Sequence, residues 1–257
     1  MELIDTHCHI DVEDFAADRA AVLDHCRVLG VRRMIVPAVI ARTWRNLLDL
    51  CHHEPGLLPA LGLHPVYIDQ HTDADVDALA FWVEREQPVA VGEIGLDYFV
   101  DDLDRQRQQR VFEAQLWVAR DAGLPVVLHV RKAHDQVLAT LKRISVRGGF
   151  AHAFNGSLQQ AQQYIDLGFK LGFGGMLTFE RSNKLRGLAK ALPLDALVLE
   201  TDSPDMTVAS HRGQRNSPEY LPECLQALVD VRDEDPAVIA MATTHNAEVV
   251  LGLAKAS

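Results

Sequence analysis

The amino-acid sequence predicts an α/β fold, a single-domain (β/α)8 TIM barrel that spans residues 1–257. Eight short apolar runs alternate with longer amphipathic stretches along the whole chain, which is typical of a parallel sheet with helices between its strands. The length of 257 residues is usual for one such barrel. No linker rich in proline, serine or glycine divides the chain and no internal repeat is visible, so we expect one domain.

The strands are predicted from short apolar runs, because strands buried on both faces carry few polar side chains. The run Val126-Val127-Leu128, which follows Pro125, is an example. The eight predicted strands are Leu3–Asp5, Arg33–Pro37, Leu58–Leu61, Ala90–Gly92, Val126–His129, Gly149–His152, Lys170–Gly172 and Leu197–Glu200.

The helices are predicted between these runs, where apolar residues recur at helical spacing. Gly30, Gly123 and Gly168 stand just beyond three of them, where a left-handed residue commonly ends a helix. Asp235 and Pro236 supply a capping residue and a proline at the first helical position of the last helix. The predicted helices are Asp14–Leu29, Thr43–His53, Asp75–Glu86, Asp104–Ala122, Ala133–Arg143, Leu158–Leu167, Ser182–Ala191, Pro218–Arg232 and Pro236–Gly252.

The composition excludes some classes of protein. The chain carries 36 acidic and 25 basic residues, a net charge of −11, which argues against nonspecific coating of nucleic acid. It does not exclude an enzyme that meets phosphates through bound metal cations. The four cysteines are scattered, without a CxxC pair, and predict free thiols in a reducing compartment. With no signal peptide and no membrane-length apolar run, we expect a cytoplasmic protein without a membrane segment, and nothing indicates a stable protein partner.

Polar residues that can bind metals recur at the carboxyl ends of the predicted strands. In a barrel these ends converge on one mouth, so residues distant in sequence share one cavity. His7 and His9 are alternate residues of an extended segment, and both imidazoles can therefore reach one ion. The strand-end motifs are Asp5-Thr6-His7-Cys8-His9, Gly62-Leu63-His64-Pro65, Gly92-Glu93-Ile94-Gly95-Leu96-Asp97, Leu128-His129-Val130-Arg131, Ala151-His152 and Glu200-Thr201-Asp202-Ser203-Pro204.

The number of candidate ligands predicts two metal ions. Taken singly, His129 or His152 would be interpreted as a hydrogen-bonded core histidine. Four histidines and two carboxylates at one mouth are too many for a single ion that keeps an open position for catalysis. We expect His7, His9, Glu93 and Asp202 to hold one ion, and Glu93, His129 and His152 to hold the other. The mixed ligands leave Zn²⁺, Mn²⁺, Co²⁺ and Mg²⁺ open.

A pair of ions has a clear chemical use. Two divalent cations can ionise a bound water near neutral pH and stabilise the leaving oxygen at a phosphoryl or carbonyl centre. A carboxylate beside that water can take its proton, and we assign this role of general base to Asp202.

The strand-end motifs resemble the successive signatures of the TatD family of metal-dependent hydrolases. Further similarity lies in Arg215-Asn216-Ser217-Pro218 and in Asn246-Ala247, and the match runs from about residue 3 to 252 in the family's order. Through Gly156-Ser157-Leu158-Gln159-Gln160-Ala161 and the residues around Asp202, the sequence is most similar to the YjjV-type branch.

This resemblance implies a barrel of the amidohydrolase superfamily and a nuclease, since characterised relatives act as DNases, often 3′→5′ exonucleases. It places the family's metal ligands on the same six residues. It also makes Glu93 the bridging ligand and Asp202 the catalytic aspartate. His64 matches a family histidine near the substrate phosphate; otherwise it is a loop histidine before a proline.

Two further residues are candidates for binding substrate. Arg131 lies two residues after a predicted ligand and either contacts a phosphate or pairs with a carboxylate of a loop. Phe154 either stacks on a base, as in single-strand binders, or is a core phenylalanine. The residues that depart from the family pattern, Asn155, Ser203 and Leu251, are not predicted ligands and leave only the substrate preference open.

The sequence therefore predicts a two-metal hydrolase of phosphodiester bonds, a deoxyribonuclease whose partner is DNA or another phosphodiester. One alternative is a hydrolase of small-molecule esters or amides, or of aminoacyl-tRNA esters, with the same metals. The acidic composition and the lack of an evident basic stripe keep this alternative open. A barrel that only binds is disfavoured, because a decayed site would have lost one of its six ligands.

Overall fold

The computed structural model describes residues 2–254, which form one eight-stranded parallel barrel with helices outside it. Neighbouring strands pair in chain order, from the first to the eighth. This arrangement confirms the predicted fold class. The strands are β1 (Leu3–Asp5), β2 (Val31–Pro37), β3 (Leu57–Leu61), β4 (Ala90–Asp97), β5 (Val126–Arg131), β6 (Gly149–Ala151), β7 (Phe169–Phe173) and β8 (Leu197–Leu199).

Helices follow the strands at every step. Within residues 2–254, no helix combines the length and the apolar character that a membrane span would need. The α-helices are α1 (Arg19–Val28), α2 (Trp44–His53), α3 (Asp73–Glu86), α4 (Arg105–Ala122), α5 (His134–Arg143), α6 (Leu158–Asp166), α7 (Asn183–Ala191), α8 (Leu221–Val229) and α9 (Pro236–Leu251).

Two helices begin several residues later than predicted. α1 begins at Arg19 rather than Asp14, because the Arg19 guanidinium donates to backbone oxygens of the preceding loop at 2.7–3.0 Å and holds that loop outside the helix. α8 begins at Leu221, after a short 3₁₀ turn that starts at Pro218. Pro222 lacks an N–H donor, so an α-helix accepts it only in the first turn.

The barrel closes between its first and last strands through a few backbone hydrogen bonds. The N–H of Thr6 donates to the carbonyl oxygen of Leu199 at 3.0 Å, and the N–H of Asp202 donates to that of His7 at 2.8 Å. His7 and Asp202, which are far apart in the sequence, are thereby fixed side by side at the mouth.

Strand β4 is longer than predicted. It continues past Gly92 to Asp97, because its second half pairs with β5: Ile94 lies opposite Leu128, and Asp97 lies opposite Arg131. The carboxylates of β4 are therefore carried by paired strand rather than by a loop, which limits the movement of their side chains.

The inside of the barrel is packed with apolar side chains, one from each of seven strands. Phe150 is the largest side chain of this cluster, which also contains the small Ala60 and Ala90. Helix α9 belongs to the same cluster and is tied to the amino end of β8, where Asn246 Nδ2 donates to the carbonyl oxygen of Leu197 at 2.8 Å. It covers the end of the barrel opposite the mouth. The inner strand residues are Ile4, Ile35, Ala60, Ala90, Val127, Phe150 and Val198.

Candidate metal centre and active site

The carboxyl ends of the strands surround a cavity of about 1020 Å³. Its floor carries imidazoles and carboxylates from several strands, and apolar and charged residues of the loops form its wall. The six residues predicted as ligands meet here; in chain order they are His7, His9, Glu93, His129, His152 and Asp202.

The first predicted ligand set is compact. Nε2 of His7 lies 3.1 Å from Nε2 of His9 and 3.2 Å from Oε2 of Glu93. Oδ1 of Asp202 lies 3.6 Å from Nε2 of His7 and 3.8 Å from Nε2 of His9. A tetrahedral ion with ligands at about 2.1 Å separates those ligands from one another by roughly 3.4 Å. These four side chains can therefore hold one cation of that size.

Glu93 lies between two groups of histidines and is 2% exposed. Its Oε2 faces His7 and His9, whereas its Oε1 lies 3.1 Å from Nδ1 of His129 and 3.3 Å from Nε2 of His64. Each oxygen thus serves a different side of the centre, which is the arrangement that a carboxylate bridging two ions requires.

His129 is oriented by a second carboxylate. Its Nε2 lies 2.9 Å from Oδ2 of Asp97, so its Nδ1 is the nitrogen that faces Glu93. Asp97 is itself fixed, since its Oδ1 accepts hydrogen bonds from the N–H groups of Phe99 at 2.8 Å and Val100 at 3.0 Å. A carboxylate that holds the second nitrogen of an imidazole is typical of histidines that bind metals.

His152 is placed in a similar way. Its Nε2 lies 3.5 Å from Oδ2 of Asp202, and its Nδ1 lies 3.0 Å from Oε1 of the buried Glu200. Glu200 also accepts a hydrogen bond from the N–H of Ala153 at 2.6 Å. A side chain at Gly172 would collide with Glu200, because an added Cβ would lie 2.1 Å from Oε2, so glycine leaves the room that this carboxylate occupies.

The structure groups the ligands differently from the second predicted set. His129 clusters with Glu93 and His64, whereas His152 clusters with Glu93 and His7. The ring of His152 stacks on that of His7, with centroids 3.7 Å apart. His64, which the resemblance placed near the substrate phosphate, thus contributes a nitrogen at the distance of a ligand. Imidazole and carboxylate donors of this kind suit a divalent cation.

Besides His64, the two other candidates for substrate binding lie in different surroundings. Arg131 is exposed at the mouth, where its guanidinium lies 3.6 Å above the ring of Phe99. Phe154 is 1% exposed and packs edge to face against Tyr164 and His134. Stacking on a base requires an exposed ring face, and the structure places this ring in the core.

The backbone around Asp202 is held in an unusual conformation. Its φ of +57° lies in the left-handed region, which costs a residue other than glycine free energy. The N–H of Asp202 donates to the carbonyl oxygen of His7. The buried Asn216 also holds this segment, because its Nδ2 donates to the carbonyl oxygens of Thr201 at 2.8 Å and Asp205 at 2.6 Å. This conformation aims the carboxylate, which is 16% exposed, into the centre.

Burial and neighbouring charges shift the ionisation of these groups. Burial would raise the pKa of Glu93, but the charges of His64 and His7 hold it well below its usual range. Burial raises the pKa of Asp202 to about 6. Burial would lower the pKa of His129, but its hydrogen bonds with Asp97 and Glu93 raise it to about 8. The ionisation of each group in the centre thus depends on burial and on the charges of its neighbours.

Sequence reasoning assigned no role to Asp97 or Glu200. Asp97 could have been recognised, because it ends the same strand as Glu93 and alternate residues of a strand point to the same face. For Glu200 there was a weaker signal, a carboxylate at the end of an apolar run two residues before Asp202. Each lies against the ring of a predicted ligand, Asp97 against His129 and Glu200 against His152.

Comparison with known proteins identifies the family of the chain. A model of the family described as TatD related DNase matches residues 4–252. The chain is 42% identical over 246 residues to the uncharacterized metal-dependent hydrolase YjjV of Escherichia coli K12, covering 95% of each chain. It is 32% identical over 256 residues to a Salmonella typhimurium LT2 protein named 3′-5′ ssDNA/RNA exonuclease TatD, covering 96% of this chain and 98% of that one.

The crystal structure of Escherichia coli YjjV has the same fold. It matches with a TM-score of 0.93 at 41% identity, over 96% of this chain and 97% of that chain. The family resemblance predicted from the strand-end motifs is therefore confirmed over nearly the whole length. The chain belongs to the TatD-related DNase family of metal-dependent hydrolases.

Proposed function

We propose that this protein hydrolyses phosphodiester bonds as a deoxyribonuclease of the 3′→5′ exonuclease type, with two divalent cations and Asp202 as general base. The observation that carries the proposal is the position of the Asp202 carboxylate. Its Oδ1 faces His7 and His9, which follow β1, and its Oδ2 faces His152, so it stands between both sides of the centre at the floor of an open cavity.

The proposed ligands are the two histidines of the β1 end with Glu93 and Asp202 for one ion, and Glu93, His129 and His152 for the other. His64 joins the second group in the structure, at 3.3 Å from Glu93. When bound, such ions supply Lewis acidity that activates water and neutralises charge at a phosphoryl or carbonyl centre.

The residues of the chain orient the substrate and move the proton. Oδ2 of Asp202 accepts the proton of the attacking water, and the exposed Arg131 guanidinium pairs with a phosphate oxygen of the substrate. Support for a nucleic-acid substrate comes from the relative named as an exonuclease on single-stranded DNA and RNA.

The test compares substrates on purified protein supplied with Mn²⁺, Mg²⁺ or Zn²⁺ separately. Single-stranded DNA labelled at its 5′ end, bis(p-nitrophenyl) phosphate and a panel of carboxyl esters are assayed side by side. We expect a ladder of DNA products shortened from the 3′ end, and a loss of at least about a hundredfold in kcat for Asp202→Asn. Asp69→Asn, an exposed aspartate in the 3₁₀ helix that follows β3, is the matched control and should retain activity.

Each outcome decides between the functions. Turnover of carboxyl esters without any phosphodiester cleavage would favour the ester hydrolase. Cleavage of DNA that persists in Asp202→Asn would contradict the role of general base. Binding of metal without hydrolysis of any substrate would indicate a barrel that only binds.

A further inference from the structure

Charged side chains are distributed unevenly around the cavity. Three cations line the side formed after β5 and β7: Arg131 ends β5, and Arg181 and Lys184 lie at the start of α7. Two acids, Asp14 and Asp205, line the side formed after β1 and β8. Since β8 and β1 are joined by backbone hydrogen bonds, the two acids occupy one continuous side of the mouth, next to the side that carries the cations.

The three cations have no carboxylate partners. All are exposed, and between residues 2 and 254 none forms an ion pair. Arg131 stacks on Phe99, and Nζ of Lys184 donates only to the backbone oxygen of Asn155, at 2.6 Å. In a chain whose net charge is −11, three unpaired cations beside one cavity form a local positive field where a polyanion can enter.

We propose that Arg181 and Lys184 extend the cavity into a basic rim, consisting of Arg131, Arg181 and Lys184, that holds the phosphates adjacent to the one being cleaved. The inference rests on the proposed phosphodiesterase function and adds the side chains that hold the rest of the strand. The strand then runs from the metal centre over the β5–β7 side, because Asp14 and Asp205 repel phosphates on the neighbouring β8–β1 side.

If the basic rim binds phosphates, an oligonucleotide and a small diester should respond differently to its loss. A small diester presents one phosphate and engages only the floor of the cavity, whereas an oligonucleotide also reaches the rim. Each phosphate that a cation neutralises releases counterions, so affinity for single strands falls with salt by a slope of about 0.7 for each contact. Losing two contacts should weaken oligonucleotide binding and make its salt dependence shallower.

The experiment measures binding and hydrolysis separately with the full chain. Binding of a fluorescent phosphorothioate thymidine oligonucleotide is followed by anisotropy over a range of salt concentrations. Hydrolysis is followed on the matching DNA and on bis(p-nitrophenyl) phosphate. The test variant is Arg181→Ala/Lys184→Ala. The control is Arg110→Ala/Lys190→Ala, which removes the same two charges from exposed positions on α4 and α7 outside the cavity lining.

The test variant should bind the oligonucleotide about tenfold more weakly than the wild type, with a salt slope lower by about 1.4, whereas the control stays within about twofold. Its loss in kcat/KM should be about tenfold greater on DNA than on the small diester, mostly through KM. Equal weakening of both variants would show a general charge effect and overturn the basic rim, as would unchanged binding of the test variant. Failure of the wild type to hydrolyse any phosphodiester would refute the proposed function instead. The anisotropy measurement would then still show whether the basic rim binds the oligonucleotide.

Discussion

Oδ2 of Asp97 lies 2.9 Å from Nε2 of His129, and the opposite nitrogen of that ring faces Glu93 at 3.1 Å. The pair joins neighbouring strands: Gly95, between the two carboxylates of β4, lies opposite His129 in the register. Only glycine fits there, since a Cβ at Gly95 would lie 1.9 Å from the carbonyl oxygen of His129. The orientation of this imidazole therefore depends on the register of β4 against β5.

Replacing Asp97 should weaken metal binding without unfolding the protein. In Asp97→Asn the ring of His129 loses the carboxylate that fixes its orientation, and we expect metal affinity to fall about 10- to 100-fold. The measurement is competition with a fluorescent chelator, together with metal analysis after dialysis. Asp101→Asn, an exposed aspartate in the following loop, is the control. Equal affinity in Asp97→Asn and the wild type would contradict the orienting role.

Adding one methyl group at position 172 should damage the site. In Gly172→Ala the new Cβ would overlap Glu200, so this carboxylate must move away from His152, and we expect lower activity and a lower melting temperature. Gly187→Ala is a matched control within α7, where an added Cβ meets no atom within 4 Å. The control should stabilise the protein by about 0.5–1 kcal/mol, because alanine favours a helix more than glycine does. Similar behaviour of the two variants would refute the steric argument.

Asn216 should be necessary both for stability and for the position of Asp202. Asn216→Ala leaves the carbonyl oxygens of Thr201, which is buried, and of Asp205 without their donor, which should cost about 1–3 kcal/mol in the free energy of unfolding. Activity should fall further than stability explains, since the same segment carries the proposed base. Urea unfolding and steady-state kinetics measure the two effects, with the exposed Asn46→Ala as control. A variant with normal activity would show that Asp202 is positioned without this anchor.

Phe150 should be the most sensitive position inside the barrel. Phe150→Ala leaves a cavity among the small residues Ala60 and Ala90, and we expect a loss of about 3–5 kcal/mol in the free energy of unfolding. Phe81→Ala, on the outside of α3 and 56% exposed, should change stability by much less. Equal losses, measured by urea unfolding, would place Phe150 outside the tightly packed interior.

The cysteines should react slowly in the native protein. All four are free and buried, and burial raises the pKa of the Cys51 thiol to about 12. Little thiolate is then present at pH 8, so a disulfide reagent such as DTNB should modify the native chain slowly and all four thiols in urea. Because the folded pKa exceeds the ordinary thiol value of about 8.5, the contribution of this thiol to stability is present below pH 8.5 and is lost as the pH rises towards 12. Rapid modification of the native protein would contradict this burial.

The alternation of side chains along single strands could be predicted from the sequence. It placed His7 and His9 on one face and the remaining ligands at strand ends, and the order of apolar runs predicted the barrel that gathers them. These features are local. The alternation of side chains along a strand and the order of strands and helices depend only on residues that are near one another in the sequence.

The tertiary structure alone decided which groups meet across strands. The pairing of Asp97 with His129, the approach of His64 to Glu93 and the burial of Phe154 depend on register and packing between distant segments. The separation of cations and acids around the mouth likewise follows only from the order of the strands around the barrel, which places the loops beside one another. A shift of one residue in strand register would move each side chain to the other face while leaving the sequence of each strand unchanged, which is why the strand ends were predictable and their partners were not.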